Sequence, residues 1–310
     1  MNKKIFKKAF CLFLCAVLVL TLSSSAFAAL KFNGKKEIKA VAHRGYSAQA
    51  PENTLAAFRL AGEKGYYGCE FDIHPTKDKV WVVNHNDTVD KMTNGSGKIT
   101  DMTFEEISKL KIDAGNNLKT YPNEKIPTFE ETLDTCEKYS LHPVIEVKGG
   151  QPEDMESIAE ILKARTFSNG YTIISFTWEL LAPLRKLLPE AEIWMLANEV
   201  MPSHIKFCKE HKIDGISFNY MTNPSLSIAF FRLTGLKLIA WTVDDVTSAR
   251  KLAALGVGAI TTNKLLPEDL DMSDLSVDEV LKDMVNDLTN AVKDLLKMAK
   301  DYIAGLVGKC

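Results

Sequence analysis

Between Ile38 and Leu266 the chain alternates, eight times over, between a short β-type run and a longer intervening stretch. The β-type runs are Ile38–Ala42, Gly68–Ile73, Pro143–Val147, Thr172–Ser175, Glu192–Leu196, Gly215–Phe218, Lys237–Trp241 and Ala259–Thr261. Helical spacing of apolar residues marks Thr54–Lys64, Phe129–Tyr139, Met155–Ala164, Trp178–Leu188, Ser203–His211 and Val246–Leu255 between them. Regular alternation predicts a parallel sheet with helices outside it. Eight repeats in about 230 residues predict a closed (β/α)8 TIM barrel over residues 38–268 rather than an open sheet. A doubly wound sheet is the runner-up, but no G-x-G-x-x-G follows the first strand. One interval breaks the rhythm. A second β-like run, Val80–Asn84, follows the second strand, and a polar, Gly-containing stretch then runs from His85 to about Lys125. That is too long for an ordinary loop, and it reads as a small insertion on one rim.

Both ends of the chain differ from this pattern. Lys3, Lys4, Lys7 and Lys8 precede an apolar run from Ala9 to Leu22, and Ala26-Phe27-Ala28 offers small residues at cleavage spacing. That order predicts a signal peptide over residues 1–28, cleaved after Ala28, and therefore a secreted protein. An uncleaved anchor ranks second, because the apolar run is shorter than the about 20 residues a span needs. Removing residues 1–28 takes away four lysines and no acid, so the formal charge of −2 becomes −6. A mildly acidic chain has no electrostatic reason to hold nucleic acid. At the other end, residues 273–310 carry Val277, Val280, Leu281, Met284, Val285, Leu288, Val292, Leu295, Leu296 and Ala299 at helical spacing, with Ser276 and Glu279 as a capping pair. This amphipathic tail needs an apolar partner: its own barrel, a second copy or a lipid surface. Its seven acids and five lysines weaken the case for an anionic membrane. Of the cysteines outside the signal, Cys69, Cys136, Cys208 and Cys310, none shows metal-type spacing. Cys69 reads as a small buried apolar residue.

In a barrel of this kind the chemistry sits where the strands end. His43-Arg44-Gly45 closes the first strand, Glu70 and Asp72 stand at the end of the second with His85 downstream, and Glu146 and Lys148 close the third. Residues two apart on a strand point the same way. Glu70 with Asp72, and Glu146 with Lys148, are so related, and apolar Phe71, Ile145 and Val147 between or beside them face the helices. The charged set therefore faces the barrel axis. Burying three carboxylates together is costly unless a cation neutralises them, and a hard divalent ion does so with oxygen ligands. Glu70, Asp72 and Glu146 are its candidate ligands, favoured over an ion-pair network with Arg44 and Lys148. His43 and His85 are candidates for moving protons near neutral pH. Arg44 and Lys148 are suited to non-bridging phosphate oxygens. His142, His204 and His211 read as structural, and His74 lies close to the rim with its role open.

The motifs Val41-Ala42-His43-Arg44-Gly45, Pro51-Glu52-Asn53-Thr54, Glu70-Phe71-Asp72, Pro75-Thr76-Lys77-Asp78, Val82-Val83-Asn84-His85, Thr93-Asn94-Gly95-Ser96-Gly97 and Ile145-Glu146-Val147-Lys148 occur in this order. With Ser175-Phe176 and Ala240-Trp241-Thr242-Val243, they resemble the glycerophosphodiester phosphodiesterase family over about residues 39–268. The resemblance implies a barrel with an insertion after the second strand. It also implies hydrolysis of glycerophosphodiesters, a small-molecule substrate, to glycerol 3-phosphate and an alcohol. It places acid and base roles on His43 and His85, a calcium or magnesium ion on Glu70, Asp72 and Glu146, and phosphate contacts on Arg44 and Lys148. Phe176 and Trp241 fall either on the glycerol side of the pocket or in the barrel core. The chain departs from the family pattern at Asn86 and Asn263, where Asp is usual, and at Lys91, where Arg is usual; Asp87 is the expected substitute beside His85. Lysophospholipids or glycerophosphate wall polymers are alternative substrates. A non-catalytic surface protein is the alternative of a different class.

Overall fold

The structure, a computed structural model, describes residues 38–272 and eight tail residues, Lys282, Val285, Asn286, Asp287, Thr289, Asn290, Lys293 and Lys297. The proposed signal segment and most of the tail's apolar stripe lie outside the described residues. Val285 of that stripe is described and is exposed.

Eight parallel strands close on themselves. They are β1 (Lys39–His43), β2 (Gly68–Pro75), β4 (His142–Val147), β5 (Thr172–Ser175), β6 (Glu192–Ala197), β7 (Gly215–Asn219), β8 (Lys237–Trp241) and β9 (Ala259–Thr262). Sequence neighbours pair throughout, and β1 closes the ring by pairing in parallel with both β2 and β9. The remaining strand, β3 (Trp81–Val83), folds back antiparallel on the end of β2, which extends that strand beyond the barrel rim. Helices α1 (Leu55–Glu63), α3 (Phe129–Lys138), α4 (Met155–Lys163), α5 (Trp178–Leu187), α6 (Pro202–Glu210), α7 (Ser225–Leu233) and α8 (Val246–Ala254) lie between the strands.

Several helices start at a side chain that accepts from a free N–H group, such as Thr54 before α1 and Asp245 before α8. Thr128 accepts from the Glu131 N–H while the Glu131 carboxylate accepts from the Thr128 N–H, a reciprocal cap that opens α3. The same device at Thr103 and Glu106 opens the short α2 (Phe104–Ser108). The packing layer between sheet and helices is apolar: Phe71 of β2 meets Phe58 of α1 at 5.6 Å and Phe129 of α3 at 6.1 Å between ring centres. Phe71, Ile145 and Val147 thus face the helices, which turns Glu70, Asp72 and Glu146 to the barrel axis. Cys69 and Cys136 are buried free thiols with sulfurs 3.4 Å apart in this layer.

Two features differ from the sequence-based picture. The stretch 85–125 is not a polar loop. Val89, Met92, Ile99, Ile107 and Ile112 join Val82 and Ile126 in a core of its own. These residues have no regular period, so no pattern announced them. Helix α7 was not anticipated because Ser225–Leu233 is apolar on most sides and shows no polar stripe.

The turn after β1 depends on backbone that few residues tolerate. Arg44 sits at φ 57° and Gly45 at φ 75°. A Cβ on Gly45 would lie 2.6 Å from the Ala57 backbone of α1. Gly45→Ala is expected to cost about 1–3 kcal/mol, from left-handed strain and this collision, and to lower the melting temperature by several degrees. An unchanged melting curve would show that the turn can move aside.

Candidate active site

The C-terminal ends of β1, β2 and β4 converge on one cleft of about 120 Å³. His43 and Arg44 reach it from β1, Glu70 from β2, His85 from the insertion, and Glu146 and Lys148 from β4. Phe176 and Trp241 line its far side with Ile174 and Leu196. Glu70, Asp72 and Glu146 are buried, and one oxygen from each falls within 4.8 Å of the others.

Arg44's left-handed backbone aims its N–H at Glu70 Oε2, 3.0 Å away. Its guanidinium lies 3.2 Å from Glu52 Oε2 and 3.7 Å from Asp72 Oδ2. Asn53, also left-handed at φ 58°, donates to Asp72 Oδ2 at 2.8 Å. Lys148 Nζ stands 2.8 Å from Glu146 and 3.2 Å from Asp72. Lys91, which stands where the family pattern has Arg, donates to Glu52 Oε1 at 2.9 Å and so completes a Lys91–Glu52–Arg44 chain.

The cations do not neutralise the cluster. Burial, then Asp72 and Glu146 beside it, push the Glu70 carboxyl well above the usual range. Burial and Asp72 raise Glu146 to about 7. Asp72 stays low: burial raises it, but Lys148 and Arg44 outweigh that. A site in which burial, and then mutual repulsion, raise two of three carboxyl groups is short of positive charge at its centre. Three converging carboxylate oxygens are also a hard-cation donor set. The residues present therefore fit a divalent ion.

This has a pH consequence. Glu146 has an ordinary pKa of 4.5 and a folded value of about 7, so the metal-free folded protein holds the extra proton between these values. Stability from this group is present at low pH and is lost as pH rises through that window. A cation replaces the proton, so its stabilising effect grows over the same range. The rise in melting temperature on adding saturating Ca2+ or Mg2+ is expected to be larger at pH 8 than at pH 5.5. Equal rises at both values would contradict the assignment of the ion to this cluster.

Both imidazoles are oriented by amides. Asp244 accepts from the Asn263 Nδ2 group at 2.6 Å and from the Asn263 backbone N–H at 2.7 Å. That fixes the amide with Oδ1 turned to His43 Nδ1, 2.7 Å away. An amide oxygen only accepts, so Nδ1 carries the proton and Nε2 presents a lone pair. Nε2 lies 3.9 Å from Glu70 Oε2, on the cluster side. Burial, then Arg44, holds the His43 pKa down at about 4. His85 Nδ1 contacts Asn86 Oδ1 at 2.9 Å, so its Nε2 is likewise free. Burial lowers the His85 pKa also, despite the opposing pull of Asp72. Asn86 itself, not Asp87, holds the His85 ring.

The other histidines are accounted for locally. His142 bonds Thr172 Oγ1 at 2.8 Å, and His204 accepts from the Met201 N–H at 3.0 Å. His211 packs on Phe207. His74 is buried behind His85 and the insertion. Phe176 and Trp241 meet edge to face at 5.9 Å on the cleft wall, and Trp241 also packs against the barrel core of Val41, Val144, Ile174 and Trp194. Glu52, Asn53, Asp244 and Asn263 were not singled out for these contacts. Glu52 and Asn53 belong to a quoted motif and Asn263 marks a departure from it, but nothing local to Asp244 signals its partner.

Fold and site together define a (β/α)8 barrel with a carboxylate-rich, imidazole-flanked centre at its C-terminal mouth. Residues 43–266 match the model of the glycerophosphoryl diester phosphodiesterase family. A glycerophosphodiester phosphodiesterase of Caldanaerobacter subterraneus is 35% identical over 237 residues, 74% of this chain and 95% of that protein. One from Bacillus subtilis is 30% identical over 250 residues, 73% and 83% of the two chains. Among solved structures, a phosphodiesterase of Oleispira antarctica bound to its product sn-glycerol 3-phosphate superposes with TM-score 0.68 at 25% identity, covering 79% of this chain and 96% of that one. A glycerophosphodiester phosphodiesterase from Agrobacterium tumefaciens gives TM-score 0.63 at 26% identity, with 76% and 99% covered. This chain belongs to the glycerophosphoryl diester phosphodiesterase family and is a phosphoric diester hydrolase.

Proposed function

We propose that this protein is an exported, metal-dependent enzyme that hydrolyses glycerophosphodiesters to glycerol 3-phosphate and an alcohol. The observation that carries this reading is the meeting of Glu70, Asp72 and Glu146 with two free imidazole nitrogens in one cleft. The product seen in the Oleispira relative and the order of basic start, apolar run and Ala26-Phe27-Ala28 support the chemistry and the export respectively. Glu70, Asp72 and Glu146 would hold the ion, Ca2+ or Mg2+, which when bound supplies positive charge to the phosphate oxygens.

The chain's own residues do the rest. Arg44 and Lys148 hold the non-bridging phosphate oxygens. Phe176 and Trp241 pack against the glycerol carbons. His43 Nε2, with its lone pair held toward the centre by Asn263, accepts the proton of the attacking oxygen. His85 Nε2, nearer the open rim, protonates the departing alkoxide. The negative diester raises the proton affinity of the imidazole that must give one up, which offsets the lowered pKa of His85. Across the cycle one water is added: its oxygen ends on phosphorus, and the alcohol leaves with a proton.

The test is direct. The protein lacking residues 1–28 is incubated with glycerophosphocholine or glycerophosphoethanolamine and Ca2+ or Mg2+, and glycerol 3-phosphate is measured with and without chelator. Product that disappears with chelator is the expected result. No product from either diester would leave a non-catalytic surface role as the better reading.

A further inference from the structure

The two imidazoles of the cleft have unequal supports. His43 ends a barrel strand, whereas His85 follows β3 at the start of the insertion, outside the ring of parallel strands, and is half buried. A proton carrier on a loop has to be tied to the barrel, because a displacement of about 1 Å can cost about 100-fold in rate. Asn86 Oδ1 holds the His85 ring at 2.9 Å. But Asn86 is the next residue in the chain and moves with the same loop. Its amide is also uncharged, a weaker anchor than the carboxylate usual in the family at this position.

The tie to the barrel is Asn84, which is buried and is not among the residues lining the cleft. Its backbone N–H donates to Asp72 O at 3.0 Å, on the strand that carries two of the three carboxylates. Its side-chain Nδ2 donates to Asn86 O at 2.7 Å and to Thr88 O at 3.1 Å. Both partners are carbonyl oxygens, which only accept, so the orientation of the amide is fixed and both of its N–H bonds are used. A side chain thus closes the turn around His85, where no backbone ladder runs. One end of this clamp is the metal strand. The other reaches the neighbour of Val89, which is buried in the insertion's own core. The His74 imidazole, whose role the sequence left open, hydrogen-bonds the His85 backbone from behind.

We propose that Asn84 is a positioning residue for the proton donor: by bridging Asp72 O to the carbonyls of Asn86 and Thr88, it sets where His85 Nε2 stands relative to the carboxylate cluster and the departing oxygen. The inference rests on the role of His85 proposed above. Asn84 touches neither substrate nor ion, so its effect passes through His85 and follows the need of the reaction for a proton. An ordinary structural amide would slow every substrate alike.

The experiment measures kcat and KM on two diesters that differ in leaving group. Glycerophosphocholine releases an alkoxide that must be protonated. The 4-nitrophenyl ester of glycerol 3-phosphate releases a nitrophenolate, a weak enough base to leave without a proton. Wild type, Asn84→Ala, Asn84→Asp and His85→Ala are compared. Asn84→Asp keeps the shape, but its carboxylate has no donor and faces two carbonyl oxygens. Asn84→Ala is expected to lower kcat on glycerophosphocholine by about 10-fold or more, with little change in KM, and Asn84→Asp by at least as much. The loss on the nitrophenyl ester is expected to be several-fold smaller, and His85→Ala to show the same selectivity more strongly. Both Asn84 variants are expected to keep the rise in melting temperature on adding Ca2+, since the carboxylate cluster is intact. Equal losses on the two esters in Asn84→Ala, with His85→Ala still selective, would make Asn84 a general structural support and overturn the inference alone. A loss confined to KM, a lost Ca2+ response or wild-type rates would also overturn it. Equal losses in His85→Ala itself would overturn the proton-donor role on which the inference rests.

Discussion

Replacing His43 with alanine is expected to slow glycerophosphodiester hydrolysis by at least about 100-fold, the lower range for a positioned proton carrier. The effect should fall on kcat rather than KM, because His43 does not hold the phosphate in this arrangement. Asn263→Ala should fall in between. It leaves the imidazole in place but removes the acceptor that fixes its Nδ1 proton, a kind of loss worth about 10–100-fold. If His43→Ala kept near wild-type kcat with metal present, the base would have to be another group, and the order of proton transfers proposed here would fail.

The second large effect concerns Glu70. Glu70→Gln keeps the shape and an oxygen to accept the Arg44 N–H. It removes one ligand charge, and several kcal/mol of charge stabilisation corresponds to about 1,000-fold in rate. Stability should behave differently. Burial and the neighbouring Asp72 and Glu146 already push the Glu70 pKa well up, so an uncharged amide relieves repulsion in the metal-free protein. Its metal-free melting temperature is expected to equal or exceed that of the wild type, while the rise on adding Ca2+ or Mg2+ is largely lost. A purely structural ion-pair network predicts the reverse: removing one partner leaves buried cations unpaired and lowers stability with or without metal. Calorimetry in chelator and in excess ion separates the two.

Much of this was legible before any coordinates. Period-two strands carry their own directional information, so Glu70, Asp72 and Glu146 could be aimed at the axis from spacing alone. The alternation of strands and helices specified the barrel because each element's apolar residues demand burial, and eight parallel strands with short connections close on themselves. The insertion's hydrophobic core was not legible, because Val89, Met92, Ile99, Ile107 and Ile112 come together through irregular loops without a period.

What the sequence by itself determined was therefore the barrel, the inward carboxylates and the identity of the paired histidines, all properties of local periodicity and of motifs read in order. Only the tertiary structure decided how those groups are held. Asp244 reaches His43 through Asn263 across 220 positions of chain between imidazole and amide, and Lys91 reaches Arg44 through Glu52. It alone brought Phe176 and Trp241 into edge-to-face contact on the wall of the cleft. Such contacts join residues far apart in the chain, and their energy depends on distances of a few ångströms that come into being only when the ring of strands closes.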